Sequence, residues 1–180
     1  MSFRSPAGLP RMSTPTNATS GPRVVERPEQ PYAGITGRVT MTTMNEIADR
    51  MPGVFGWLAE RGIAPAGAPF FRYHVIDMER ELEVEVGVPV ASPVDDDGPI
   101  RAGVLPAGKY VTLTHVGHPD RLIEVTAKLL EWAADRDLAF DVEKSERGDR
   151  WGSRLEIWHT NPAEEPDPSK WETELAFRLA

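Results

Sequence analysis

Glutamates recur at every second position in the stretch ELEVEVGVPV, residues 81–90, with apolar side chains between them. In a β-strand, alternate side chains point to opposite faces, so Glu81, Glu83 and Glu85 would share one face. Either the strand is half-buried with its acids in water, or the acidic face lines a binding site. Since like charges repel strongly away from water, at most one of these glutamates is expected to lie deep in such a site.

A second strand-like stretch, WETELAFRLA at residues 171–180, has the same alternation, and in it Glu174 lies between Trp171 and Phe177. Aromatic neighbours remove water from a carboxyl group, which raises its pKa and makes it an acid, a base or a partner for a cation. We therefore predict that Glu174 binds ligand and acts in catalysis, and that it is the least exposed glutamate of the two acidic strands. The alternative is a solvated acid on an edge strand.

The elements that position these glutamates occur twice along the chain. Each copy reads as a strand, a helix with an apolar stripe at a 3.6-residue period, and two further strands, which is a β-α-β-β unit. The predicted strands are residues 31–40, 70–77 and 81–90 in the first copy and residues 109–118, 154–160 and 171–180 in the second. Pro52 should kink or split the first helix.

Aligning the two copies pairs the residues that could form a site. Tyr73 falls on Trp158 and Glu85 falls on Glu174, while Tyr110 begins the first strand of the second copy. Flat aromatic side chains at such positions suit planar or cationic ligands. Ordinary core packing is the alternative for these aromatic residues.

Phe71 and Glu156 precede Tyr73 and Trp158 by two residues, so they share the face of those aromatic side chains and the same two interpretations. Trp171 follows a proline-rich loop and could cap the groove. The predicted ligand site comprises Glu174, Trp158, Tyr73, Tyr110, Phe71, Trp171 and Glu85.

One helix for every three strands covers only one face of a sheet. We therefore predict an α+β fold of two β-α-β-β units related by a pseudo-two-fold axis. Their joint antiparallel sheet has the helices on one face and a ligand groove on the other. Residues 1–22, rich in proline, serine and threonine, are predicted to be a disordered tail. Residues 23–180 form the domain, with repeat one at about 24–90 and repeat two at about 104–180.

Composition narrows the function. The net charge of −8 and the scattered positions of the 20 basic residues argue against nucleic acid as a partner. The absence of cysteine excludes disulfides and thiolate chemistry, and the four histidines lie apart, so neither a metal nor another cofactor is expected. The sequence has no signal peptide and no apolar run that could cross a membrane, so we expect a cytoplasmic protein without a membrane partner.

In order and spacing, the stretches YAGITGRVTM, FFRYHVID, EVEVGVPV, LPAGKYVTLTHVGHPD and WETELAFRL resemble the GyrI-like small-molecule-binding domain. This domain also serves as the effector-binding module of AraC-type and MerR-type multidrug regulators. The resemblance covers about residues 24–180 and implies a pseudo-symmetric groove for drug-like, planar or cationic molecules. It also implies a glutamate at the groove floor, on the last strand of the second repeat, and the matching position is Glu174.

A regulator would carry a DNA-binding domain before this one, and the preceding segment here is too short for that. The resemblance therefore predicts a standalone small-molecule-binding protein. The alternative is a hydrolase of strained or electrophilic small molecules, such as cyclopropane-bearing genotoxins, because some standalone members are reported to hydrolyse them. In that case Glu174 would act as general acid or base. Both functions need an aromatic groove and a poised acid, so the sequence leaves both open.

Overall fold

Alternating apolar and polar residues form strands at all six predicted stretches in the computed structural model, which describes residues 21–180. The predicted tail, residues 1–22, lies outside the described residues except for its last two positions. The strands are β1 (Arg23–Arg27), β2 (Gln30–Val39), β3 (Phe70–Ile76), β4 (Leu82–Pro89), β5 (Arg101–Leu105), β6 (Gly108–Val116), β7 (Val142–Ser145), β8 (Gly148–Trp151), β9 (Arg154–Trp158) and β10 (Glu172–Arg178).

The helices follow the first strand of each repeat. Repeat one has α1 (Met44–Ala48) and α2 (Met51–Glu60), and repeat two has the single helix α3 (Leu122–Asp135). The predicted break at Pro52 is confirmed, because this proline lies in the first turn of α2, where its missing N–H costs nothing. No helix in residues 21–180 is both long and apolar enough to cross a membrane.

All neighbouring strands are antiparallel, and their order is β1-β6-β10-β9-β3-β4-β2-β5. Read outward from the centre, β3-β4-β2 of repeat one mirrors β9-β10-β6 of repeat two. The two repeats meet where β3 pairs with β9, with Phe71 directly opposite Glu156. The predicted α+β fold, with its duplicated unit and pseudo-two-fold symmetry, is confirmed.

The edge strands β1 and β5 were not predicted. Each of them precedes one repeat in the chain and pairs with a strand of the other repeat. Strand β1 lies before repeat one but pairs with β6, while β5 lies before repeat two but pairs with β2. The β7–β8 hairpin, which was also not predicted, is a further addition beside β3.

Two short links make the sheet curl. Only residues 28–29 join β1 to β2, and only residues 106–107 join β5 to β6, although each pair stands six places apart in the strand order. A link of this length spans roughly 10 Å, against the nearly 30 Å that six flat strand spacings would need. The two ends of the sheet therefore approach each other.

Both helical layers pack on one face of this sheet, as predicted. Ile47 and Val54 of α1 and α2 pack on valines of β4, while Val125 and Leu129 of α3 pack on Leu175 and its neighbours in β6 and β10. The helix-free face turns inward in the curl and carries a separate apolar cluster, composed of Tyr32, Phe70, Tyr110, Leu155, Ile157 and Ala176.

Candidate functional site

A cavity of about 620 Å³ opens on the helix-bearing face, between the helices of the two repeats. Met44 and Ala48 of α1 form one side, and Leu122 and Thr126 of α3 form the other. Its floor is the centre of the sheet, where β3 pairs with β9. We call this cavity the interhelical pocket. Its volume falls in the range of roughly 300–1,000 Å³ that is usual for sites of small organic ligands.

One carboxyl group, Glu156 of β9, lies at the floor of the interhelical pocket. The Tyr73 hydroxyl donates a hydrogen bond to its Oε2 over 2.7 Å, and the Trp158 indole N–H donates to its Oε1 over 3.4 Å. Tyr73 and Trp158 are the two residues that the repeat alignment pairs, so the symmetry mates hold the carboxyl group from both sides.

Phe71 completes an aromatic wall beside this carboxyl group. Its ring lies edge-on to Trp158, with centroids 4.4 Å apart, and edge-on to Tyr73, with centroids 6.1 Å apart. Such edge-to-face contacts stabilise the rings against each other and leave flat faces for a ligand. The wall and the buried acid beside it are the two features that a planar molecule with a positive charge requires.

Burial changes the acidity of both hydrogen-bonded groups. Removal of water raises the pKa of Glu156, although the hydrogen bonds from Tyr73 and Trp158 and the charge of Arg154 oppose the rise. Burial also raises the pKa of the Tyr73 hydroxyl, and the neighbouring Glu156 carboxylate raises it further. The Tyr73 hydroxyl therefore stays protonated and donates its hydrogen bond to Glu156 at neutral pH.

Arg154 also lines the interhelical pocket, two residues before Glu156 on the same face of β9. Its guanidinium lies over the rings of Phe177 and Trp151, at 4.4 Å and 4.7 Å from their centroids. Burial lowers the pKa of Arg154 to about 10, so the group stays charged at neutral pH. The pocket is therefore lined by one basic group, Arg154, and by two acids, Glu156 at its floor and the exposed Asp120.

A second, smaller hollow of about 220 Å³ lies on the helix-free face, inside the curl of the sheet. Phe70, Tyr110 and Ile157 form its apolar wall, and Glu174 with Arg27 forms its polar end. Leu155 separates the two cavities, since it borders both. We call this cavity the inner hollow.

Glu174 is fully engaged by its neighbours in the inner hollow. Arg27 forms an ion pair with it, the Thr112 hydroxyl donates a hydrogen bond over 2.5 Å, and Nε2 of His159 lies 2.8 Å from its Oε1. Burial alone would raise the pKa of Glu174, but the hydrogen bond with His159 and the charge of Arg27 outweigh it and lower the pKa to about 2. The raised pKa expected for Glu174 is therefore wrong, and its carboxylate is ionised at neutral pH.

Glu85 repeats this arrangement in the first repeat. Nε2 of His74 lies 2.8 Å from its Oε1, and the Tyr32 hydroxyl donates to the same oxygen over 2.5 Å. The pairing of Glu85 with Glu174 in the repeat alignment thus extends to their histidine partners. The Glu85 side chain is 5% exposed and that of Glu174 is 12% exposed, so the expectation that Glu174 is the least exposed is wrong.

The structure divides the predicted site residues between two faces. Phe71, Tyr73 and Trp158 line the interhelical pocket. Glu174 and Tyr110 line the inner hollow, with Glu85 buried on the same helix-free face. Glu174 cannot face Trp158 across one groove, because Trp158 pairs with Thr173 and Glu174 pairs with Ile157. The expected single groove containing both residues is therefore wrong.

Trp171 lines neither cavity among the described residues. Its indole N–H donates to the carbonyl of Glu165 over 2.7 Å, which fixes the proline-rich loop before β10. The predicted capping of a ligand by Trp171 thus has no cavity beneath it. The role of each other predicted residue in ligand binding stays a prediction.

Arg154 was missed as a site residue. The sequence could have revealed it, because alternate residues of a strand share one face and Arg154 therefore lies on the same face of β9 as Glu156 and Trp158. Within residues 21–180, no three histidine or carboxylate side chains come together in a way that could hold a metal ion.

The family profile of the GyrI-like small-molecule-binding domain matches residues 21–180. The match covers most of the chain, and the chain therefore belongs to this family of small-molecule-binding domains. No curated protein sequence matches it.

Solved structures with the same fold have low sequence identity to the chain. The C-terminal domain of EcmrR matches with a TM-score of 0.66 and 19% identity, over 89% of this chain and 98% of that domain. In a complex of EcmrR with DNA, 91% of this chain matches with a TM-score of 0.71 and 20% identity, and it spans only 58% of the EcmrR chain.

Two further solved structures share this fold. A hydrolase from Listeria innocua matches with a TM-score of 0.61 and 12% identity, over 91% of this chain and 93% of the hydrolase. The protein SAV2435, solved with bound tetraphenylphosphonium, matches with a TM-score of 0.52 and 9% identity, over 88% of this chain and 93% of SAV2435. At these identities the likeness concerns the fold.

Proposed function

We propose that this domain binds planar, drug-like aromatic molecules with a positive centre in the interhelical pocket, as a cytoplasmic protein that captures foreign compounds. The observation that carries the proposal is the Glu156 carboxyl group, held between Tyr73 and Trp158 at the floor of a cavity of about 620 Å³. The aromatic wall supplies flat contact area, and the acid supplies the counter-charge.

Three methionines support a broad range of ligands. Met41 and Met78 are exposed at the edge of the interhelical pocket, and Met44 lines it from α1. Methionine side chains are flexible and polarizable, so they adapt to ligands of different shape. The binding of tetraphenylphosphonium, an aromatic cation, by SAV2435 agrees with this ligand class.

The two cavities can be told apart by filling each with an indole ring. Ala48→Trp places a large side chain in the interhelical pocket, whereas Ala68→Trp places it in the inner hollow. Titration with acridine orange, a planar cation, followed by fluorescence anisotropy should show binding to the wild-type protein and to Ala68→Trp but not to Ala48→Trp. Ala59→Trp, on the exposed side of α2, is the control for the substitution itself. Equal binding by Ala48→Trp would contradict the proposal.

Hydrolysis of an electrophilic small molecule is the second candidate function, and the Tyr73–Glu156 hydrogen bond of 2.7 Å favours it. A carboxyl group whose pKa is raised by burial can act as general acid or base at a strained or electrophilic centre, which contributes roughly 10²–10⁴-fold in rate. If the domain is a hydrolase, Glu156 takes the role of general acid or base that the sequence analysis predicted for Glu174. The fold is shared with the Listeria innocua hydrolase.

Turnover separates the two functions. Purified protein at low concentration is mixed with an excess of a cyclopropane-bearing electrophile, and the ring-opened product is followed by mass spectrometry. Multiple turnovers that disappear in Glu156→Gln and persist in Glu174→Gln would establish the hydrolase. Capture of one equivalent without product would leave the binding function.

A further inference from the structure

The guanidinium of Arg154 stands apart from the other arginines of the sheet. Four arginines among the described residues are partly buried, and three of them have oxygen partners. Arg27 pairs with Glu174, Arg178 pairs with Asp141, and Arg72 donates to the Tyr32 hydroxyl and to two backbone carbonyls. Within residues 21–180, Arg154 has aromatic contacts but no hydrogen bond or ion pair from its side chain.

The acid at the floor of the pocket forms no ion pair with Arg154. Glu156 lies two residues along β9, about 7 Å further at the usual rise of a strand. Its two oxygens accept from Tyr73 and Trp158, and no ion pair within 4 Å joins it to Arg154. The rings of Phe177 and Trp151 lie against the guanidinium and stabilise it in this position.

A partly buried cation without an ion-pair partner is unfavourable, because it has lost water and the carboxylates of Glu156 and Asp149 act on it without contact. Loss of water lowers the pKa of Arg154 to about 10, although the nearby groups of Tyr73, Glu156 and Asp149 oppose the fall. Arginine offers several N–H donors in a planar fork that fits a carboxylate. A ligand that brings a carboxylate would supply the missing partner inside the pocket.

We propose that the interhelical pocket selects amphoteric aromatic molecules, in which a carboxylate or a similar acidic group faces Arg154 while the positive centre faces Glu156. This inference rests on the proposed function, and it narrows the ligand class from aromatic cations to aromatic compounds with both charges. The opposite charges of Arg154 and Glu156 on one strand face define the direction in which such a ligand lies.

A matched pair of dyes tests the inference on the wild-type chain. Rhodamine 110 carries a free carboxylate on a cationic xanthene, and rhodamine 123 is its methyl ester, so the two differ only in the acidic group. Fluorescence anisotropy titrations at pH 7.5 should give tighter binding of rhodamine 110, by roughly tenfold or more, as expected for a charge-assisted hydrogen bond. Equal or tighter binding of the ester would overturn the inference and leave the proposed function standing.

Variants assign the preference to Arg154. Arg154→Gln should remove the preference for rhodamine 110 while rhodamine 123 still binds, and Arg154→Lys should retain part of it. Arg136→Gln is the control, because Arg136 also stacks on an indole, that of Trp132, but is exposed at the C-terminal end of α3 and does not line the pocket. An unchanged preference in Arg154→Gln would contradict the assignment.

If Arg154→Gln does not fold, the comparison of the two dyes on the wild-type chain decides. Failure of both dyes to bind the wild-type protein would overturn the proposed function and this inference with it.

Discussion

Phe71 and Glu156 stand directly opposite each other in the register of β3 and β9, and the repeat alignment makes them symmetry mates. The pseudo-two-fold axis therefore passes between them, at the floor of the interhelical pocket. One repeat contributes a ring at this place and the other contributes the acid. A symmetric sheet thus supports an asymmetric pocket, which would give the proposed ligand one orientation.

Glu156→Gln should weaken the binding of acridine orange by roughly 1–3 kcal/mol, since it removes a charge-assisted contact and keeps the size of the side chain. Isothermal titration calorimetry at pH 7.5 measures this change. Glu174→Gln is the matched control and should leave the affinity within a factor of two, because Leu155 lies between the two cavities. A larger loss in Glu174→Gln than in Glu156→Gln would restore the inner hollow as the ligand site.

The affinity for acridine orange should fall on acidification, at a pH above that at which an ordinary glutamate titrates. The dye stays cationic below pH 8, and the raised pKa of Glu156 means that its carboxylate becomes neutral earlier as the pH drops. Tyr73→Phe removes a hydrogen bond that lowers the pKa of Glu156, so the midpoint should move to still higher pH. Anisotropy titrations between pH 4 and pH 8 locate both midpoints. Tyr110→Phe should leave the midpoint unchanged, and a shift there would contradict the assignment to Glu156.

Glu174 should make the protein sensitive to acid. Its pKa is lowered from 4.5 to about 2 in the folded chain, so its ionised form stabilises the fold above pH 4.5. This stabilisation, on the order of 3 kcal/mol, is lost as the pH falls from 4.5 towards 2. Urea denaturation at pH 7, 5, 4 and 3 should show a smaller loss of the free energy of unfolding in Glu174→Gln than in the wild-type protein. The exposed Glu81→Gln should follow the wild-type curve, and a wild-type curve that is flat below pH 5 would contradict this assignment.

Gly87 of β4 is expected to tolerate no side chain. A Cβ atom there would lie 2.5 Å from the Phe70 ring and 3.0 Å from the Tyr32 ring, both of which are buried. Gly87→Ala should therefore lower the free energy of unfolding by roughly 1–3 kcal/mol, as overpacked cores do. Gly56→Ala meets nothing within 4 Å in α2 and should raise the free energy of unfolding by up to about 1 kcal/mol. Chemical denaturation compares the two, and equal effects would contradict the packing argument.

Much of the fold follows from periodicity. The period of two located six strands, the period of 3.6 located the helices, and Pro52 marked the division between α1 and α2. The match of Glu85 with Glu174 was also visible, because repeats preserve spacing within elements, and in the structure each of the two has a histidine partner. Strands β1 and β5 were missed, since five residues with little alternation give too short a signal.

The location of the site could not be read in the same way. Alternation separates the two faces of a strand, but the register between β9 and β10 decides whether Glu174 shares a face with Trp158 or with Ile157. Chain spacing also does not reveal that the helices leave a gap above Glu156. The sequence analysis predicted that Glu174 shares one site with Tyr73 and Trp158. In the structure the glutamate beside this aromatic pair is Glu156, two residues before Trp158.

The two-residue links that join β1 to β2 and β5 to β6 hold the sheet in its curled shape. The sheet cannot flatten or widen unless the edge strands leave β6 and β2, because these links have no slack. We therefore expect ligands of the proposed class that differ in shape to be accommodated by the other wall of the interhelical pocket, which α1, α3 and the methionine side chains of its rim form. The sheet is thus the fixed part of the proposed site, and the range of ligands that it accepts should depend on the helices and the rim methionines.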